Sequence, residues 1–124
     1  MTNLQTLGLS HNQLVELPPE IGQLTNLKQL NIMSNGLSEL PLEFSRLTNL
    51  TKLNLSRNQL GELPLEIVQL SNLIILYLGS NQLSELPPEI GQLTSLYTLN
   101  MSGNPLTQLP PAICLRIHFQ SRRQ

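Results

Sequence analysis

The chain has 124 residues, a formal net charge of -1 and 40% hydrophobic residues, yet only 3% aromatics and no tryptophan. That length holds one domain, and the near-neutral balance excludes the strongly basic surface on which nucleic-acid binding depends. Leucine makes up roughly a quarter of the residues, which points to a single packing solution reused along the chain.

The N-terminus, Met1-Thr2-Asn3-Leu4, has neither the basic nor the apolar stretch of a secretory signal. No apolar run approaches the roughly 18–20 residues of a membrane span. Cys114 is the only cysteine, which excludes an intrachain disulfide and accords with a reducing compartment. Together these features predict a soluble cytoplasmic protein that does not engage a membrane. Residues 1–4 align with Leu24-Thr25-Asn26-Leu27, so the sequence enters at the last step of a repeat without a polar cap before it.

From Leu4 onward one pattern returns every 23 residues, starting at Leu4, Leu27, Leu50, Leu73 and Leu96. Each copy opens LxxLxLxxN, ending on Asn12, Asn35, Asn58, Asn81 and Asn104. Two further leucines and a proline (Pro18, Pro41, Pro64, Pro87, Pro110) follow in every copy, then an Ile or Phe. The LxLxx segment alternates with period two and predicts a short strand with its leucines on one face. A strand that short cannot bury its leucines alone, whereas identical strands stacked about 4.8 Å apart can. The asparagine leaves the strand at a turn, where its amide can serve backbone groups of its own and the neighbouring coil. Five of them in register predict a structural ladder of buried amides. The Leu-Pro step ends the extended segment and presets φ for a helical turn, in which Ile21 and Leu24 share one face. Glu20, Glu43, Glu66 and Glu89 fall in the first turn of these segments, where the helix dipole favours a carboxylate.

After Asn104-Pro105-Leu106 the pattern decays. Arg116 stands at a leucine position, and Phe119 falls on the next repeat's first-leucine position. Residues 1–119 are therefore expected to form the solenoid, with Ile113 to Phe119 as a weak cover and residues 120–124 as a disordered basic tail carrying Arg122 and Arg123.

The consensus LxxLxLxxNxLxxLPxxIxxLxx, matched along nearly the whole chain, resembles the leucine-rich repeat family. Its Leu-Pro-x-x-Ile variant is similar to the intracellular type found in Ras-associated scaffolds, Scribble- and Erbin-like polarity scaffolds and the repeat arrays of Roco GTPases. The resemblance implies an α/β solenoid: a right-handed curved horseshoe segment of about five repeats. A parallel sheet would line its concave face and short helical or 3-10 segments its convex one.

Little in the sequence supports catalysis. Aspartate is absent, lysine is limited to Lys28 and Lys52, and histidine to His11 and His118. No GxxxxGK[ST] phosphate loop is present, and no serine has a base within reach of a triad. The eight glutamates form two columns one repeat apart, Glu16/Glu39/Glu62/Glu85 and Glu20/Glu43/Glu66/Glu89. Stacked carboxylates can hold a divalent cation, but no other ligand type converges there, and a solvated acidic edge is the preferred reading. No enzyme activity, cofactor or metal is expected. Asn49-Leu50-Thr51, Asn54-Leu55-Ser56 and Asn100-Met101-Ser102 match the glycosylation acceptor pattern through the repeat's own composition. Cys114 is read as a small apolar filler.

The variable positions between the buried leucines are mostly small and polar, apart from Ile75 and Tyr77. An exposed tyrosine beside aliphatics has the composition of an interface hot spot, and equally of a tolerant surface. Lys52 and Arg57 offer a charged rim for an acidic partner. The expected partner-binding residues on the concave face are Tyr77, Ile75, Lys52, Arg57, Asn54, Asn31, Met33 and Asn100.

The leading expectation is a non-catalytic protein-interaction module, and the resemblance implies a small GTPase or another signalling protein as partner. The alternatives are a spacer within a larger multidomain protein, such as a Roco-like GTPase, or a truncated gene remnant. Self-association is expected through the thinly covered ends, chiefly Leu4, Leu7 and Leu9.

Overall fold

The computed structural model describes residues 3–107 and, by backbone alone, residues 118–120. Expectations for Pro110, Ile113, Cys114, Arg116, Arg122 and Arg123 fall outside the described residues.

Each repeat contributes one three-residue strand: β1 Thr6–Gly8, β2 Gln29–Asn31, β3 Lys52–Asn54, β4 Ile75–Tyr77 and β5 Thr98–Asn100. With β6, His118–Gln120, they form a parallel six-stranded sheet in sequence order. The register runs Leu7, Leu30, Leu53, Leu76, Leu99, so each strand presents its central leucine to the same side. Four 3-10 turns, Pro19–Gln23, Leu42–Arg46, Ile67–Gln69 and Pro88–Gln92, occupy the opposite side of the coil. Pro18, Pro41 and Pro87 cap three of them in extended geometry, and each turn closes by a backbone N–H reaching back three residues, as from Leu47 to the Phe44 carbonyl. Glu20, Glu43 and Glu89 lie in first turns as expected, whereas Glu66 sits one place earlier, as the cap of the shortened third turn.

Between sheet and turns lies one continuous core. Leu50, Leu53, Leu55, Leu60 and Leu70 of the third coil are all fully buried, and Phe44 fills the Ile position of the second. Their counterparts in the first coil, Leu4, Leu7, Leu9, Leu14 and Leu24, are only partly buried against that core. A leucine here is covered by the coil on each side, so the first coil, with a described neighbour on one side only, is half covered.

The asparagine column joins the coils. The Asn58 amide donates to the Leu55 carbonyl of its own coil and to the Ile32 carbonyl of the preceding one, both at 3.0 Å. Its Oδ1 accepts from the Leu37 N–H of the preceding coil at 3.1 Å. Asn35, Asn81 and Asn104 repeat the arrangement. Asn12 departs from it. It is exposed and donates only to Leu9 and Ser10 of its own coil, because no described coil precedes it to offer a carbonyl and an N–H. The residue before each asparagine turns the chain out of the strand in left-handed geometry: His11, Ser34, Arg57 and Ser80 at φ 55–61°, and Gly103 at 76°.

The C-terminal register differs from the expected one. Phe119 pairs with Leu99, the central strand leucine, and not with the first-leucine position. The connection from β5 to β6 spans residues 101–117, three fewer than the residues 78–97 that join β4 to β5, which shifts the register by three residues. Gln120 accordingly belongs to a strand, opposite Asn100, and not to a disordered tail.

Replacing Asn58 by Ala strips the buried Leu37 N–H of its acceptor, while the Ile32 and Leu55 carbonyls each keep a second donor, from Asn35 and Asn81; a buried group left unsatisfied costs about 1–3 kcal/mol. Asn58→Ala should therefore lose about 1–3 kcal/mol in urea unfolding, and Asn12→Ala under about 1 kcal/mol; equal losses would contradict the ladder. At Gly103 an added Cβ would stand 2.9 Å from Ser80 Oγ and 3.2 Å from Ser80 N, at a positive φ. Gly103→Ala should cost about 1–2 kcal/mol, measured in the same way.

Candidate functional site

The period-two alternation that buries the central leucines turns the flanking residues outward onto the sheet face. Register aligns them in two columns, Thr6, Gln29, Lys52, Ile75, Thr98 and Gly8, Asn31, Asn54, Tyr77, Asn100. Neighbouring members stand about 4.8 Å apart, so side chains from successive coils form one surface.

A concavity of about 280 Å³ lies on this face, with Gly8, Asn31, Asn54 and Tyr77 along one column and Thr6, Gln29 and Lys52 along the other. The Lys52 ammonium stands 5.8 Å from the centre of the Tyr77 ring, within cation–π range. Both residues are half-buried, so each narrows the other's choice of rotamer. Asn31 and Asn54 are oriented by their own backbones. Oδ1 of Asn31 accepts from the Met33 N–H and Oδ1 of Asn54 from the Ser56 N–H, each at 3.0 Å. The Asn54 amide nitrogen lies 3.8 Å from Met33 Sδ. Asn100 repeats the motif, its Oδ1 accepting from Ser102 N–H at 2.9 Å.

Of the residues expected at the site, the structure brings Tyr77, Lys52, Asn54 and Asn31 around one pocket. Ile75 sits half-buried beside Lys52 in the same column but outside the pocket lining. Met33 touches the pocket only through Asn54. Asn100 is one coil further along. Arg57 is exposed at the left-handed corner beyond the strand, so it does not share a rim with Lys52 across the pocket. Sequence reasoning passed over Gly8, Thr6 and Gln29 as site residues. Their signal was present in the Gly8 column, where a residue without a side chain replaces Asn or Tyr and opens one end of the floor.

Two other features lie off this pocket. Ile74 and Tyr97, 43% and 64% exposed, are joined by the Tyr97 N–H to Ile74 carbonyl bond at the strand entry. A groove of about 510 Å³ follows the flank toward the 3-10 turns and is lined by Glu39, Glu62, Glu66, Glu85 and Glu89 around Leu65. Among the described residues no group of three or more His, Cys, Asp or Glu side chains is placed to hold a metal ion. No helix among them is long and apolar enough to cross a membrane.

The fold and this surface can be set beside known proteins. The leucine rich repeat family's profile matches residues 2–60, and a two-copy leucine rich repeat profile matches residues 48–88 and 71–113. No curated protein matches the chain. Among solved structures, a leucine-rich repeat protein of Leptospira interrogans, LIC12759, is 40% identical with a TM-score of 0.72, over 86% of this chain and 33% of its own. The leucine-rich repeat domain of the type III effector XopL is 30% identical with a TM-score of 0.80, over 90% and 41%. The plant peptide hormone receptor RGFR1, solved in complex with RGF2, is 32% identical with a TM-score of 0.78, over 98% and 25%. The chain thus spans between a quarter and about two fifths of these proteins' own lengths. With the profile matches covering residues 2–113, and with the leucine register, the asparagine column and the parallel one-strand-per-repeat sheet all in place, the chain belongs to the leucine-rich repeat family.

Proposed function

We propose that the chain is a non-catalytic module that docks a protein partner on its sheet face. The observation that carries this reading is the pocket in which Lys52 and Tyr77 stand over the oriented amides of Asn31 and Asn54. A half-buried tyrosine beside a cation, on a rigid sheet, provides contact area at low entropic cost, which is the makeup of an interface anchor. The receptor RGFR1, which shares the fold, is seen in complex with RGF2. That supports recognition of a polypeptide without specifying which one. A cytoplasmic signalling protein, such as a small GTPase, is the partner class proposed from the intracellular repeat type.

A second reading is a spacer within a longer multidomain protein, and the fraction of its neighbours' lengths that the chain spans favours it. The two separate in one experiment. The isolated chain, immobilised as bait, should retain a partner that Tyr77→Ala weakens by at least about tenfold, or about 1.4 kcal/mol. A change on the other flank, Leu42→Ser, should leave that partner bound. Retention by the Tyr77 variant at unchanged affinity would remove the sheet face from the interface and favour the spacer.

A further inference from the structure

The chemistry of the pocket is one-sided. All eight side-chain carboxylates of the chain lie in the two glutamate columns, off the strands and away from the pocket lining. Inside the pocket stand a cation, Lys52, and two amides whose oxygens are already taken by backbone N–H groups. With its oxygen held, each amide must present nitrogen outward, because exchanging the two atoms would set N–H against N–H. Among the described residues, no acceptor meets the Asn31 nitrogen, and only a thioether meets that of Asn54. Three groups thus offer donors toward one opening, with no acid on the strands to answer them.

We infer that the pocket receives the carboxylate of an acidic side chain on an extended segment of the partner. A carboxylate carries two acceptor oxygens, enough for the Lys52 ammonium and the two amides at once. The Tyr77 ring walls one end, and Gly8 leaves the other end open for the partner backbone, since nothing lies within 4 Å of where its Cβ would be. At about 280 Å³ the space suits one side chain and falls just below the roughly 300–1,000 Å³ of pockets that enclose a small ligand. A polypeptide is therefore the source preferred over a free metabolite. The inference rests on the docking reading above and specifies which chemistry the face selects.

The test is a titration of the isotope-labelled full chain, followed by NMR, with an end-capped peptide of alternating Thr and Glu and with its counterpart carrying Gln for every Glu. The Glu peptide should shift the side-chain amides of Asn31 and Asn54 and the Tyr77 ring, and the Gln peptide should bind at least about tenfold more weakly. Lys52→Met, which keeps the apolar stem, should weaken the Glu peptide by a similar factor. Equal response to both peptides, shifts confined to other faces, or no shift at about millimolar peptide would overturn the inference. Acetate saturating the same resonances as tightly as the peptide would overturn the extended occupant in favour of a free carboxylate. If Lys52→Met fails to fold, the Glu and Gln comparison on the unaltered chain still decides. A partner lost on Tyr77→Ala, with no response to the Glu peptide, would retain the docking face and reject the carboxylate.

Discussion

The rest of the molecule depends on one hydrogen-bonded group, the asparagine that leaves each strand. Its amide satisfies a carbonyl of its own coil and one of the coil before, and its oxygen takes an N–H from that same preceding coil. A turn with this geometry inside a leucine core would otherwise strand that N–H away from water and leave each carbonyl one donor short. The side chain therefore does two things at once. It permits a tight corner to be buried, and it sets the spacing and register between successive coils.

Register in turn creates the surface. Backbone bonds join neighbouring coils along and beyond the strands, as from the Ile32 N–H to the Asn54 carbonyl and from the Ser34 N–H to the Ser56 carbonyl, and the ladder, the left-handed corners and the leucines between coils hold the same alignment. Once Leu30, Leu53 and Leu76 are stacked inward, the residues on either side of them are stacked outward as well. Lys52 then meets Tyr77 across adjacent strands, and Asn31 and Asn54 fall in line behind. The pocket is a by-product of repetition, given its shape by the few residues that break it.

The two faces of each coil also divide the charge. The glutamates gather on the segments that leave the ladder and enter the 3-10 turns, where a groove lined by five of them runs around Leu65. The strands carry none. A small, nearly neutral chain thereby presents an acidic flank and a donor-rich sheet.

The sequence by itself determined the architecture, because a fold whose every coil reuses the same contacts writes its rules into fixed columns. Leucine spacing, the asparagine, and the Leu-Pro step each correspond to one local physical demand, so strand, corner and 3-10 turn could be read in order. Two things required tertiary structure. One is coverage: Asn12 and Asn58 occupy the same column, yet among the described residues only the second has a coil before it to bond, a difference no local pattern contains. The other is which outward residues converge. Lys52 and Tyr77 are 25 residues apart in sequence and become neighbours through register, while Arg57, closer to Lys52 along the chain, is carried away by the corner at its own φ of 60°. At the C-terminal end a connection three residues shorter moved Phe119 from the first-leucine position to the strand centre, since pairing follows the backbone ladder and not the count of residues from the last repeat.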